Sequence, residues 1–394
     1  MSQANVQAPP AFQALAGRTV LYLVTEDWYF LSHRLDLARA ARDAGASVVV
    51  VTRVGKDGPK IEAEGFQLHP LNIRRSSLNP LRDLITLTAI RRIYRKVKPD
   101  LVHHVSMKPM LYGSIAAKRA GVPAVVNAAT GMGFLFISQG LVGRVLRPLL
   151  KSTFHGQFNR PNSKLIVQNP DDRQMFIEDV KVEPDRIAVI RGSGVDVQAF
   201  RPVPEPEGTP VAICVSRMLR DKGIEELVDA AGLLKKRGVP LRVRLVGPTD
   251  DNPASISPRR LEEWANEGVV DVAGPSDDVA GEYARAHIAV LPSYREGLPK
   301  SLLEAAACGR PMVATDVPGC REICRTDETG LLVPARSVEP LADALEKLAR
   351  DGDLRRRFGA AARRAAETEF ASELITGQTI ALYEEMLSGL ACKS

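Results

Sequence analysis

The sequence predicts an α/β protein made of two doubly wound domains in series. Its 394 residues are too many for one ordinary core, so two domains of roughly 150–200 residues are expected. Short apolar runs alternate with helical segments, which is the rhythm of βαβ units around a parallel sheet. The rhythm stops at the proline-rich residues 201–208 and then begins again, so this segment is predicted to link the domains.

These observations divide the chain into a first domain at residues 17–200 and a second at residues 209–372. Residues 1–16 lack the basic start and long apolar stretch of a signal peptide, and we expect them to form a loose tail. Residues 373–394 are expected to form a C-terminal helix that packs back on the first domain.

The elements of the first domain follow from apolar runs bounded by turn residues. Strands are predicted at 18–25, 47–52, 100–104, 124–127, 164–168 and 187–190, and helices at 32–44, 81–96 and 112–120. A turn is predicted at 26–30, and it lacks the Gly-x-Gly-x-x-Gly pattern that binds dinucleotides. The sequence therefore argues against a nicotinamide-dependent dehydrogenase.

The second domain repeats the pattern. Strands are predicted at 210–215, 241–246, 269–273, 287–291, 311–315 and 331–333, and helices at 223–237, 261–267, 277–285, 301–308 and within 339–387. Two such sheets are expected to face each other across a cleft between the carboxyl ends of their strands, where doubly wound folds bind ligands.

Composition bounds the class of protein. An apolar content of 45% and a charged content of 25% are typical of soluble globular proteins, and no apolar run reaches the ~18 residues of a membrane-spanning helix. Residues 1–200 hold 27 Lys+Arg and 16 Asp+Glu, a net charge of +11, whereas residues 201–394 hold 26 and 31, a net charge of −5. The basic half is expected to face an anionic partner: a membrane surface, a phosphorylated lipid or nucleic acid.

The cysteines predict neither disulfides nor zinc. They are odd in number and lack Cys-x-x-Cys spacing, so we expect mostly buried, reduced thiols in a cytosolic protein. No histidine lies near the two that are closest in sequence, which disfavours a zinc site. The five are Cys214, Cys308, Cys320, Cys324 and Cys392.

Two glutamates, Glu296 and Glu304, bracket a predicted strand–turn–helix junction. Unpaired N–H groups at a helix start favour an anion, and carboxylates beside them suit hydroxyl groups, so the pair suits a nucleotide sugar. The alternative is a helix cap, in which Ser301 caps the helix and Glu304 completes the capping box.

Two cations are predicted at the same edge of the second sheet. Arg217 follows the first strand of that domain, and Lys222 precedes the next helix. They are suited to holding a pyrophosphate, although two solvated surface cations would give the same pattern. Their convergence with the two glutamates favours a binding site.

At this point the residues resemble a known family. Ser-Arg-Met-Leu-Arg-Asp-Lys-Gly at 216–223, Glu-Gly-Leu-Pro-Lys-Ser-Leu-Leu-Glu at 296–304 and Ala-Cys-Gly-Arg-Pro-Met-Val-Ala-Thr-Asp-Val-Pro-Gly at 307–319 resemble retaining glycosyltransferase family 4. The resemblance extends over residues 18–390. It implies the GT-B fold, in which two Rossmann-like domains face each other across a cleft.

The resemblance also implies roles. Arg217 and Lys222 would bind the donor diphosphate, Glu304 the ribose hydroxyls, and Glu296 the donor sugar. The backbone that would help to hold the sugar is that of Gly297, Leu298 and Pro299. Such enzymes retain the anomeric configuration, the leaving phosphate takes the acceptor proton, and cations stabilise the developing charge without a metal. The only Asp-x-Asp pattern, at 351–353, is expected to cap a helix.

Segments of the first domain resemble the PglA-like branch, which extends sugars on a polyprenyl diphosphate carrier. These segments are residues 32–35, 103–109 and 127–134. His103, His104 and Lys108 are predicted at the cleft edge as catalytic candidates, with a histidine capping a strand end as the alternative. The chain departs from many family members at Thr130, where they have histidine, so no histidine contact to the donor sugar is expected there.

A basic amphipathic helix is predicted around residues 141–151. Arg144, Arg147 and Lys151 lie between its leucines and valines, which suits contact with a membrane interface. The alternative is a core-facing helix with solvated basic residues. A second cationic patch is expected at residues 91–98.

Together these features predict a retaining, metal-independent hexosyltransferase of bacterial cell-surface glycan synthesis. Its expected donor is a UDP-linked N-acetylhexosamine, and its expected acceptor is a lipid-linked sugar or a polysaccharide. No further cofactor is expected. The predicted location is cytoplasmic and peripheral, on the inner face of the plasma membrane. The alternatives are a sugar-nucleotide epimerase of the same architecture and a non-catalytic scaffold. Nucleic acid is not an expected partner, because the basic half lacks interleaved aromatic residues.

Overall fold

Both predicted sheets are present in the computed structural model, which describes residues 15–73, 80–130, 141–250 and 252–391, without the side chains at 80, 141–146, 390 and 391. Several expectations lie outside the described part: most of the tail at 1–16, the motif residues 131–134, the side chain of Arg144, and Cys392.

In the first domain the described residues form a seven-stranded sheet with every pair of neighbours parallel. Its strands are β1 (Thr19–Glu26), β2 (Ser47–Arg53), β3 (Gln67–Pro70), β4 (Leu101–Val105), β5 (Ala124–Ala128), β6 (Ser163–Val167) and β7 (Ile187–Val189). The helices are α1 (Asp27–His33), α2 (Leu35–Asp43), α3 (Gly58–Ala63), α4 (Pro80–Val97), α5 (Ser114–Ala120), α6 (Leu141–Phe158) and α7 (Pro170–Asp179). A π-helical turn, Pro109–Gly113, precedes α5, and a 3-10 turn, Pro184–Arg186, precedes β7.

In the second domain the described residues form a six-stranded parallel sheet. Its strands are β8 (Val211–Val215), β9 (Arg242–Val246), β10 (Asp271–Gly274), β11 (Ile288–Leu291), β12 (Met312–Thr315) and β13 (Gly330–Val333). The helices are α8 (Ile224–Lys236), α9 (Pro258–Asn266), α10 (Val279–Ala284), α11 (Lys300–Ala307), α12 (Cys320–Ile323), α13 (Val338–Arg350), α14 (Gly352–Glu369) and α15 (Ser372–Ala391). A 3-10 turn, Arg220–Lys222, precedes α8.

The strand order confirms the doubly wound prediction and locates the cleft. The orders are β3-β2-β1-β4-β5-β6-β7 and β10-β9-β8-β11-β12-β13, so the direction of winding reverses between β1 and β4 and between β8 and β11. Ligands of such sheets bind outside the carboxyl ends of the strands at this reversal. The segments that follow these four strands are therefore the ones to examine for a site.

The central strands are buried on both faces, as a parallel sheet covered by helices requires. Residues 20–24 of β1 are fully buried. The described cysteines Cys214, Cys308, Cys320 and Cys324 are free and buried, as predicted.

The chain crosses twice between the domains. Val195 pairs with Ala371 in an isolated bridge where the two crossings meet. Helix α15 then packs against α2, and its Ile380 and Tyr383 join the apolar cluster around β1. Leu15, expected in the loose tail, is fully buried in the same cluster, so that expectation is wrong at its last residues.

Local predictions failed where tertiary contacts override the pattern. The predicted turn at 26–30 is helix α1, and the carboxylate of Asp27 accepts hydrogen bonds from the backbone N–H groups of Gly55 (2.6 Å) and Asp57 (3.1 Å). The predicted helix at 32–44 breaks at Arg34, whose φ of −132° is not helical. Elements α3, β3, α7 and α12 were not predicted, because each is short or lacks a clear apolar period.

No helix in the described part of the chain combines the length and the apolar character needed to cross a membrane.

Candidate active site

Two turns of the second domain lie against each other at the end of the sheet. Gly223, at φ +70°, closes the turn after β8, and a Cβ there would lie 2.1 Å from the carbonyl oxygen of Pro292. The Asp221 carbonyl accepts hydrogen bonds from Tyr294 N (2.9 Å) and Ser293 Oγ (3.2 Å). Only glycine allows this approach, which brings the turn carrying Lys222 onto the segment carrying Glu296.

Lys222 and Glu296 form an ion pair between Nζ and Oε1, and both side chains are mostly buried. The two residues are 74 positions apart in sequence, and the pairing of β8 with β11 brings them together. The two residues for which the sequence predicts contacts with phosphate and with sugar hydroxyls are thus direct neighbours.

Arg217 lies at the same edge and pairs with Asp250, with 2.5 Å between Nη1 and Oδ2. Asp250 follows β9, which neighbours β8 in the sheet. Asp250 was not predicted as a site residue, although its position just after a predicted strand of the same sheet was an available signal. The pair holds the guanidinium at this edge of the sheet.

The loop after Glu296 is held from both domains. The carbonyl oxygen of Gly297 accepts a hydrogen bond of 2.7 Å from Asn169 Nδ2 in the first domain. A Cβ on Gly319, at φ +80°, would lie 2.4 Å from the same oxygen, and one on Gly192 would lie 3.2 Å from Leu298. The backbone at 297–299 therefore sits between the domains, at the floor of the cleft.

Glu304 lies on α11 with 9% of its surface exposed. Its nearest cation is Lys300, at 3.7 Å from Oε1. Burial raises the pKa of Glu304 to about 7, against the opposing effect of Lys300. The capping-box alternative is wrong, because α11 begins at Lys300 with Pro299 at the N-cap and without a side-chain cap.

Lys300 is a cleft residue to which the sequence analysis assigned no role. Its Nζ donates a 2.8 Å hydrogen bond to the carbonyl oxygen of Ser32 in the first domain. A cation in the first turn of a helix is unfavourable because it opposes the helix dipole. The position of Lys300 at the start of a predicted helix therefore indicated a role other than helix stabilisation. Lys300 thus links the domains beside Glu304.

Of the two histidines at the end of β4, His103 faces the cleft side. It is buried between Tyr22 and Tyr383, and its Nδ1 shares a hydrogen bond with the Tyr383 hydroxyl. Its Nε2 has no hydrogen-bond partner among the described residues, and the ring lines a cavity between the domains. Burial, with the Arg34 and His104 charges, holds the pKa of His103 well below its ordinary value. A lowered pKa favours the neutral ring near pH 7.

The prediction that His104 lies at the cleft edge is wrong. Successive side chains of a strand point to opposite faces, and His104 is fully buried on the face away from His103. Its ring nitrogens bind the Tyr94 hydroxyl and Asn127 Oδ1, each at 2.9 Å. Burial lowers its pKa to about 4, partly offset by the Asn127 hydrogen bond. It is a satisfied core histidine.

Two of the predicted basic residues of the first domain, Lys108 and Lys151, pair with acids. Lys108 Nζ lies 3.2 Å from Asp83 Oδ1 in the first turn of α4. Lys151 lies 3.2 Å from Asp179, and Arg147 is partly buried. On α6, Leu149 is exposed but Leu150 packs against the core, so this end of the helix follows the core-facing alternative.

The predicted Asp-x-Asp at 351–353 is a helix cap, as expected. Asp351 Oδ1 accepts a 2.8 Å hydrogen bond from the backbone N–H of Leu354 at the start of α14.

Two family models match the chain, each over one domain. A glycosyl transferase 4-like model matches residues 19–168, and a model for glycosyl transferases group 1 matches residues 197–365. The chain belongs to these glycosyltransferases. The family predicted from the motifs is thus confirmed.

Relatives and solved structures agree with this assignment. The glycosyltransferase is 26% identical over 384 residues to the N,N'-diacetylbacillosaminyl-diphospho-undecaprenol alpha-1,3-N-acetylgalactosaminyltransferase of Campylobacter jejuni, covering 92% of this chain and 99% of that protein. It is 23% identical over 287 residues to the UDP-Gal:alpha-D-GlcNAc-diphosphoundecaprenol alpha-1,3-galactosyltransferase of Escherichia coli, covering 70% and 73%.

Among solved structures, sucrose-phosphate synthase from Thermosynechococcus elongatus superposes with a TM-score of 0.79 at 21% identity, covering 94% of this chain and 100% of that one. At this identity the likeness concerns the fold alone. It confirms the predicted GT-B architecture.

Proposed function

We propose that this glycosyltransferase moves an N-acetylhexosamine from a UDP-linked donor to a sugar on a polyprenyl diphosphate, with retention of the anomeric configuration. The contact between Lys222 and Glu296 is the observation that carries the proposal. It sets a cation for phosphate beside an acceptor for sugar hydroxyls. A nucleotide sugar has the matching arrangement, with phosphate on one side of the bond to the anomeric carbon and sugar hydroxyls on the other.

The donor would lie along the edge of the second sheet. Lys222 and Arg217 would bind the diphosphate, and Glu304 would accept hydrogen bonds from the ribose hydroxyls. Glu296 and the backbone at 297–299 would hold the sugar. In the structure both cations pair with carboxylates. On donor binding each cation would therefore exchange a carboxylate partner for a phosphate.

The names of the two relatives support the choice of substrates. The Campylobacter relative is named for N-acetylgalactosamine transfer to a sugar on diphospho-undecaprenol. The Escherichia coli relative is named for a UDP-linked donor and a sugar on the same kind of lipid. A polysaccharide is the alternative acceptor, and donor consumption with an added polysaccharide but not with a prenyl-diphosphate-linked sugar would favour it.

In the proposed reaction the bond between the anomeric carbon and the β-phosphate oxygen breaks, and an acceptor hydroxyl oxygen forms the new bond on the same face. The hydroxyl proton passes to the departing phosphate oxygen. Negative charge grows on the diphosphate, so preplaced cations stabilise the transition state more than the ground state. Lys222 and Arg217 supply this charge in our proposal, and neither a metal ion nor another cofactor takes part.

The test is incubation of the purified protein with a panel of nucleotide sugars and a prenyl-diphosphate-linked N-acetylhexosamine, with and without a chelator. We expect consumption of one UDP-sugar, a product of unchanged anomeric configuration by NMR, and full activity with the chelator. If no donor is consumed even with membranes present, the proposal fails. Interconversion of a UDP-sugar without acceptor would favour the epimerase, and donor binding without turnover the scaffold.

We further propose that the enzyme acts at the inner face of the plasma membrane, where its lipid-linked acceptor would lie. Apolar side chains in the first two turns of α4 support this. Leu81 is 73% exposed, Leu84 60% and Ile85 68%. They follow β3 and therefore lie at the carboxyl edge of the first sheet, on the cleft side. Exposed apolar residues near basic ones suit insertion into an anionic interface.

Replacing Leu84 and Ile85 together by serine is expected to lower binding to anionic vesicles by several-fold, since each removes apolar area that would be buried in the interface. Co-sedimentation with phosphatidylglycerol vesicles measures it. Leu374→Ser, at an exposed leucine of α15, is the matched control. Equal binding of all three proteins would exclude this surface from membrane contact.

A further inference from the structure

A cavity on the first-domain side of the cleft contains polar groups without partners. It lies between the junction of α1 and α2, the end of β4, the glycine turn at 192–194 and helix α15. Arg34 and His103 line its inner wall, and Lys300 of the second domain lines it as well. The cavity therefore lies next to the Lys300–Glu304 pair but belongs mainly to the first domain.

Arg34 places a buried charge in this cavity. Its side chain sits at the break between α1 and α2, and the residue is only 5% exposed. Nη1 donates a 2.7 Å hydrogen bond to the carbonyl of the adjacent His33, while Nε is buried without a partner. Among the described residues no carboxylate forms an ion pair with Arg34. A buried guanidinium without a counter-charge is costly unless something supplies one.

The acidic residues that line the cavity are engaged elsewhere. Asp36 lies 3.7 Å from Arg39 on the exposed face of α2. Asp196 Oδ1 accepts hydrogen bonds from the backbone N–H groups of Gln198 (2.8 Å) and Ala199 (2.9 Å). Neither carboxylate neutralises Arg34, so the charge is left for a ligand.

His103 adds a second unpartnered polar group to the same wall. Its ring lines the cavity, and its Nε2 is buried without a hydrogen-bond partner among the described residues. In the tautomer in which the Tyr383 hydroxyl donates to Nδ1, Nε2 carries the ring proton and is a neutral donor. A guanidinium N–H and an imidazole N–H converging on one space suit the several oxygens of a phosphate group.

We infer that Arg34 and His103 form a subsite for a phosphate group of the acceptor, the diphosphate that joins the acceptor sugar to its lipid. The inference rests on the proposed function. The donor diphosphate has its own cations, Lys222 and Arg217, on the opposite domain. Neither of them lines the Arg34 cavity, whose walls come mainly from the first domain, the one that the acceptor would contact. Arg34 binds and orients the acceptor in this arrangement and has no part in the chemistry.

The test is Arg34→Gln, compared in steady-state kinetics with a sugar linked through a diphosphate to a short prenyl chain. At saturating donor we expect the acceptor KM to rise about 10–100-fold, because a charge-assisted hydrogen bond is lost. The donor KM and UDP binding should stay unchanged. The melting temperature without substrates should stay level or rise, since an uncompensated buried charge has been removed. A purely structural arginine would lower it.

Two comparisons sharpen the result. Arg39→Gln removes the same charge one turn further along α2, from an arginine already paired with Glu64, and should leave acceptor KM unchanged. An acceptor without phosphate should lose affinity for the wild type and show little difference between wild type and Arg34→Gln, whereas a monophosphate-linked acceptor should show a difference no larger than the diphosphate-linked one. Arg34→Lys keeps the charge and loses the guanidinium fork, so an intermediate KM is expected; it also serves if Arg34→Gln does not fold.

The outcomes separate the two proposals. If the wild type glycosylates no prenyl-diphosphate acceptor, the proposed function fails. If the wild type transfers normally and Arg34→Gln keeps both its acceptor KM and its preference for a diphosphate, only the subsite is overturned. Weakened donor binding in place of weakened acceptor binding would overturn it too, because the phosphate at Arg34 would then be the donor's.

Discussion

Replacing Lys222 by methionine is expected to lower kcat by about 10²–10³-fold, the usual loss when one preorganised group that stabilises developing charge is removed. The negative charge that grows on the departing diphosphate would then face Arg217 alone. Methionine keeps the length and the apolar stem, so the turn before α8 should fold as before. Donor KM should rise less than kcat falls, because the missing interaction strengthens in the transition state.

Steady-state kinetics with the donor identified in the panel assay measures both constants. Arg220→Met is the matched control. Arg220 belongs to the same 3-10 turn, its replacement removes the same charge, and its side chain is 65% exposed and lies 3.6 Å from Glu225. It should keep wild-type kinetics. Equal losses in the two variants would mean that the turn, and not the Lys222 charge, is what matters.

The pairing with Glu296 predicts a second result in the same experiment. Lys222→Met leaves the Glu296 carboxylate mostly buried without its cation, so the variant should be less stable than Lys222→Met combined with Glu296→Gln. A double-mutant cycle on melting temperature measures this coupling. Additive effects would contradict the ion pair seen in the structure.

How far the sequence could predict the site depends on which contacts the topology determines. Lys222 and Glu296 follow β8 and β11, and in a doubly wound sheet these strands are neighbours at the reversal of winding. Their meeting therefore follows from the fold class. The pairing of Arg217 with Asp250 follows in the same way, since β9 is the other neighbour of β8.

The first domain was predicted less well because its site depends on which face of a strand meets which helix. The alternation of side chains in β4 means that only one of His103 and His104 can face α15. Sequence alone could not choose, since α15 lies 280 residues further along the chain at Tyr383. Arg34 and Lys300 were missed for the same reason. Each owes its position to contacts between segments that are distant in sequence.

The second large effect is expected at Glu304. Glu304→Gln should weaken donor binding by about 10–100-fold, because a carboxylate accepting hydrogen bonds from two ribose hydroxyls is replaced by a neutral amide with one accepting oxygen. Isothermal titration with UDP measures it. Glu328→Gln, at an exposed glutamate of the same domain, should bind as the wild type does. Unchanged UDP affinity in Glu304→Gln would place the ribose elsewhere.

The raised pKa of Glu304 adds a pH dependence with a definite sign. Burial raises the pKa of Glu304 from its ordinary 4.5 to about 7. Between pH 4.5 and pH 7 the carboxyl is therefore protonated in the native state and ionised in the unfolded state. The native state then binds more protons, and the free energy of unfolding falls as pH rises through this window. At pH 8 Glu304→Gln, which has no charge to bury, should be more stable than the wild type by up to about 3 kcal/mol.

The pH dependence of donor affinity should have the opposite sign. The ionised carboxylate is the better acceptor for ribose hydroxyls, so the UDP affinity of the wild type should fall as the pH drops below about 7. In Glu304→Gln the part of this dependence that comes from the carboxyl should be absent, so its profile should be shallower and should reflect only groups common to both proteins, such as the phosphate of UDP. Thermal denaturation and UDP titration across pH 5–8 test both trends on the same two proteins. Parallel pH profiles for wild type and variant would show that another group titrates. Opposite slopes for stability and affinity in the wild type alone would show that the protein buries a destabilising carboxyl in order to bind its donor.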